Sequence, residues 1–135
     1  MNLIVCVDKK DGMTFGGRRQ SMDRVLREDL IKTAAGKTLW MDTYSAGQFE
    51  DVKQIIRTDD DYRNKVKAGE CCFSEKGDLF FFAGKLQSVT VYRWDRVYPA
   101  DKYFDRSLLD GLKLISTTEF AGYSHERIIK EVYSK

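Results

Sequence analysis

The first forty residues restrict the fold more than any other stretch of the chain. Leu3, Ile4, Val5, Cys6 and Val7 form one continuous apolar run that ends at Asp8. An apolar run without alternation suits a strand buried on both faces, as in a parallel sheet. Residues 8–20 are polar and include Gly12, Gly16 and Gly17, which reads as a loop. Met22, Val25, Leu26 and Leu30 then recur at helical spacing, behind Ser21 as N-cap and Asp23 in the first turn, with Gly36 as terminator. Residues 37–41, KTLWM, read as a second strand. Strand, loop, helix and strand in that order imply parallel strands joined by a right-handed crossover.

The remaining elements are shorter. Residues 52–56 are a weak strand candidate, and Asp59, Asp60 and Asp61 suit the cap of a short helix through Val66 that ends at Gly69. Residues 71–74 read as a strand. Leu79, Phe80, Phe81 and Phe82 are apolar on all sides, so a strand and a buried helical turn are both open. Residues 88–94, SVTVYRW, give the clearest strand, rich in β-branched and aromatic side chains. Residues 112–117 and 127–133 read as two final strands around a loop at 120–125. Ile129, Glu131 and Tyr133 share one face of the last run, and Ile128, Lys130 and Val132 the other. No repeat or boundary divides residues 1–135, so one domain is expected. The class is α/β, three-layered, with a mostly parallel sheet and an antiparallel edge.

Composition removes several functions. With Lys+Arg 23 against Asp+Glu 21, the net charge of +2 argues against holding nucleic acid by bulk charge, though a local basic patch remains open. His125 is the one histidine, so no site with two or three His ligands exists, and no metal or other cofactor is expected. Cys6, Cys71 and Cys72 include no CxxC pair, and adjacent cysteines pair poorly; reduced thiols in a cytoplasm are expected. The N-terminal apolar run is too short for a signal peptide or a membrane span.

The pattern from Met1 to Asp8, then Gly12-Met13, a helix, and Gly36-Lys37-Thr38 with a strand ending at Met41, resembles the start of bacterial dihydrofolate reductases. Residues 89–93, VTVYR, followed by residues 100–104, ADKYF, resemble a later strand and segment of that family. The two blocks cover some 70 residues and imply a dihydrofolate-reductase-like fold. The family's chemistry does not follow. Its active-site acid on the first helix falls, without a gap, on Leu26, with Asp23 and Asp29 out of register. Its phosphate-binding Met-Gly-Arg is here Met41-Asp42-Thr43, and a carboxylate there repels phosphate. Its Gly-Gly pair has at best Ala83-Gly84 as counterpart, with no room for the helix that follows it. The chain is also similar to a group of short proteins from Gram-positive anaerobes that share Arg18-Arg19-Gln20-Ser21, Tyr92-Arg93-Trp94 and Ser124-His125-Glu126. Some of these are labelled ribonuclease Z, but a binuclear zinc hydrolase needs a cluster of histidines.

Three polar clusters are candidate ligand sites. Arg18, Arg19, Gln20 and Ser21 lead into a helix N-terminus, where amides and arginines suit an anion. Tyr92, Arg93 and Arg96 flank Trp94 where a strand leaves the sheet, which suits an aromatic ring or base. Ser124 and His125 lie in the last loop. Ser124-His125-Glu126 is no catalytic triad, because consecutive side chains cannot face one another as nucleophile, base and orienter. The arginines and His125 are expected on one cleft at the carboxyl end of the sheet. The expected function is a non-reductase protein of this fold that binds a phosphorylated or nucleotide-like ligand through its arginines. The alternatives are a protein or nucleic-acid interaction module without catalysis and an enzyme that uses His125 with Arg18 or Arg19.

Overall fold

The structure, a computed structural model, describes residues 1–76 and 78–135. In chain order the strands are β1 (Asn2–Val7), β2 (Gly12–Phe15), β3 (Arg18–Arg19), β4 (Leu39–Met41), β5 (Ile56–Thr58), β6 (Cys71–Phe73), β7 (Ser88–Trp94), β8 (Lys102–Tyr103), β9 (Lys113–Phe120) and β10 (Ile128–Ser134). The α-helices are α1 (Arg24–Thr33) and α2 (Thr43–Ala46). Seven strands form the main sheet in the order β5-β4-β6-β1-β7-β10-β9. β1 is central and parallel to both neighbours, with Leu3 opposite Cys72 of β6 and Val89 of β7. β4 is also parallel, but β6 separates it from β1. β10 runs antiparallel to β7 and to the edge strand β9. This is the α/β, mostly parallel sheet with an antiparallel edge that the pattern predicts.

The alternation of β1 divides the core. Leu3, Val5 and Val7 enter one apolar cluster with Tyr62, Leu79, Phe82, Phe104 and Leu108. Ile4 enters the other, where α1 contributes Leu26 and Leu30, and its C-cap Ala34 joins them. One face of the sheet therefore carries α1, and the other carries short 3-10 turns, two of them Tyr62–Asn64 and Leu79–Phe82.

Several expectations are corrected. Asp23, not Ser21, caps α1: its backbone is extended and its carboxylate accepts from the amides of Val25 and Leu26. Met22 therefore lies outside the helix and is 49% exposed. Residues 8–20 are not a plain loop. β2 and β3 form a hairpin through Gly16 and Gly17, both at positive φ, the arrangement of a tight primed turn. β8 completes this second sheet, in the order β3-β2-β8. Residues 50–55 form 3-10 turns broken by a kink at Val52, with strand pairing only from Ile56. The turn at Tyr62–Asn64 is shorter than the expected helix, and Asp61 makes no side-chain cap to it. Leu79–Phe82 is the helical alternative, capped by Asp78. β9 extends to Phe120, so the last loop is 121–127. Among the described residues, no helix is long and apolar enough to cross a membrane.

Candidate functional site

Three consecutive residues fasten the segment before α1 to three separate parts of the chain. Arg19 bridges to Glu75, just past β6, through Nε at 2.9 Å and Nη2 at 3.1 Å. Glu75 also accepts from Ser45 Oγ and Gln48 Nε2. Burial lowers the Arg19 pKa, and the bond and charge of Glu75 outweigh that, so the net direction is up. Gln20 Nε2 donates to Asp8 Oδ2 at 3.0 Å. Asp8 also accepts from the amides of Lys10, Gly12 and Tyr98. Burial pushes its carboxyl up, and these four donors hold it below its ordinary value. Ser21 Oγ lies 2.9 Å from His125 Nε2.

The third fastening belongs to a larger network. His125 Nδ1 is 2.9 Å from Asp23 Oδ2. An ionised carboxylate only accepts, so Nδ1 carries the proton and a neutral ring presents Nε2 as acceptor. Two hydroxyls reach that nitrogen: Ser21 Oγ, and Tyr98 at 3.1 Å. The ring stacks on Trp94 with centroids 4.5 Å apart. Asp23 takes further bonds from the amides of Tyr123 and Ser124. Burial raises its pKa, but the bonds from Tyr123, His125, Ser124 and Leu26 hold it well below the carboxylate range. Gly122 is needed for this approach, since a Cβ there would sit 2.6 Å from Asp23 Oδ2.

The nominated arginines do not share one rim. Arg93 follows Tyr92 and precedes Trp94 on β7, so it faces away from both. It pairs with Asp11 at 2.8 Å and Glu131 at 3.1 Å. Tyr92 is fully buried and donates to Asp29 of α1 at 2.6 Å, which ties helix to sheet. Burial is the first cause that raises its pKa, and Asp29 adds to it. Arg18 is exposed at the hairpin. Arg96, Ser124 and His125 do converge. With Asp95, Glu126 and Arg127 they line an open cleft of about 690 Å³. Arg96 is exposed, lies 5.6 Å from the Tyr98 ring centroid, and makes no ion pair among the described residues.

Asp8, Asp23, Glu75 and Tyr98 complete this end of the sheet. Asp23 and Tyr98 each lie two residues beyond a polar cluster of the sequence, but nothing in the sequence marks Glu75. Among the described residues, no group of three His, Cys, Asp or Glu side chains is placed to hold a metal. At the start of α2, Asp42 accepts from the Ser45 amide at 2.7 Å, and Asp60 from the Thr43 amide at 2.8 Å. Leu26 is 3% exposed within the core.

No protein-family model and no curated protein matches the sequence. Among solved structures, the chain is similar to a dihydrofolate reductase from Enterococcus faecalis complexed with NADP(H) and RAB-propyl. The TM-score is 0.66 at 9% identity, over 98% of this chain and 94% of that one. The likeness establishes a dihydrofolate-reductase-like fold.

Proposed function

We propose that this chain, of dihydrofolate-reductase-like fold, lacks reductase chemistry and binds a small phosphorylated or nucleotide-like anion in the cleft beside His125. The observation that carries the binding site is Arg96. It is an exposed guanidinium without a carboxylate partner among the described residues, next to the Tyr98 ring and lining a cleft of about 690 Å³. Phosphate suits the cation, and a base or sugar suits the neighbouring ring. Arg127 lies at the same rim, 3.9 Å from Asp95 and in contact with Glu119. Arg19 and Arg93 serve the fold instead, each held by carboxylates.

The dinucleotide of the fold family does not fit. The α2 amides that would meet a phosphate already bond to Asp42 and Asp60, and both carboxylates repel an anion. Leu26, at the family's acid position, is a core contact with no polar atom for a pterin. Thermal melts in phosphate, sulfate and chloride at matched ionic strength test the site. Phosphate and sulfate should raise Tm above chloride by more in the parent than in Arg96→Ala, since both anions also strengthen apolar burial without a site. Equal stabilisation of both proteins would overturn the reading. A second reading, a protein-interaction module, is favoured by β9, an edge strand with Leu114 52% and Ile115 61% exposed.

A further inference from the structure

We infer that Ser21, His125 and Asp23 form an acyl-transfer triad that hydrolyses small carboxylic esters. The geometry carries this beyond ligand binding. Ser21 Oγ lies 2.9 Å from His125 Nε2, and the opposite ring nitrogen lies 2.9 Å from Asp23 Oδ2. Nucleophile, base and orienter thus meet the imidazole at its two ends in the order that chemistry requires. Asp23 is fully buried at its side chain, while Ser21 is partly exposed. Four backbone amides and Ser124 Oγ, besides His125, keep Asp23 ionised and fixed in place, and stacking on Trp94 fixes the ring plane. The amides of Ser21 and Met22 meet no acceptor among the described residues. The amide that follows a nucleophilic serine is a suitable donor to a developing oxyanion.

The reaction balances with water alone. Ser21 Oγ bonds to the ester carbonyl carbon as His125 Nε2 takes the hydroxyl proton. The carbon–oxygen bond to the alcohol breaks, and that alcohol leaves with the proton from Nε2. Water, deprotonated by the same nitrogen, attacks the acyl-serine; the carboxylic acid departs and Oγ regains its proton. Tyr98, the other hydroxyl on Nε2, competes with Ser21 for the base and is not itself the nucleophile.

The test is covalent labelling of the intact protein with a fluorophosphonate, read by mass and by peptide mapping, with 4-nitrophenyl acetate hydrolysis in parallel. One adduct is expected on Ser21, and Ser21→Ala should lose both the adduct and the hydrolysis. Replacement of His125 by Gln should slow labelling about 100-fold or more, as removal of a general base does. Circular dichroism melts identify any variant that fails to fold. If His125→Gln does so, the parent and Ser21→Ala decide the question. A folded parent without an adduct on Ser21 would overturn the inference and assign the network to holding the last loop. Ser21 labelling at an undiminished rate in a folded His125→Gln would also overturn it.

Discussion

At the scale of single residues, buried charge separates side chains that resemble one another in the sequence. Arg18 and Arg19 are neighbours, yet Arg18 is exposed and Arg19 is seated on Glu75, whose side chain is 6% exposed. Arg19→Ala should cost about 3 kcal/mol, because it strands a buried carboxylate with only Ser45 and Gln48 as donors. Arg18→Ala should change stability by less than about 0.5 kcal/mol. Urea titrations of both variants measure the contrast. Asp23 gives a pH signature. Its carboxyl is held below its ordinary value in the fold, so across that interval the unfolded chain binds the extra proton. Its stabilisation is complete above the ordinary carboxylate pKa and is lost as pH falls through the folded value. Asp23→Asn should therefore lower Tm at neutral pH and flatten the acid limb of a Tm–pH profile. The sequence marks Arg19, Asp23 and His125 as polar residues in interesting company. It does not pair them, because Glu75 is 56 positions from Arg19, and His125 is 102 from Asp23. Such pairings are set by the topology of the sheet and carry no local signal.

Elements are more legible, because they follow from periodicity. The apolar runs at β1 and β7 and the helical spacing of Leu26 and Leu30 describe strands and a helix that the structure contains. Leu26→Asp places an unpaired charge in the core cluster with Ile4, Tyr92 and Trp94, and should abolish the cooperative melt. The β2–β3 hairpin escaped the same reading because its strands are four and two residues long. Its signal was the Gly16-Gly17 pair, which suits the left-handed geometry of a two-residue turn. Gly122→Ala tests the last loop. The added methyl would meet Asp23, the His125 carbonyl and Ile128 within 2.9 Å, so Tm should fall although the substitution is small and apolar. The short 3-10 turns on the other face have no period long enough to read.

The whole molecule combines a familiar sheet with a distinct set of polar fastenings. No measurable dihydrofolate turnover is expected, and a rate above about 0.1 per second would overturn the non-reductase reading, set against a median enzyme near ten. The fold class was legible because the order of strands and helix limits the ways a parallel sheet can be wound. The site was legible only as scattered polar clusters, of which Arg96, Ser124 and His125 line one cleft while Arg93 turns to the opposite face. The cap of α1 has a consequence for motion. Asp23 is shared between the first helical amides and the amides of Tyr123 and Ser124, 100 and 101 positions along the chain. Fraying of the helix start and lifting of the last loop are therefore one opening event. In native-state hydrogen exchange, the Leu26 and Ser124 amides should exchange with a common free energy, and a substitution at either end should accelerate both.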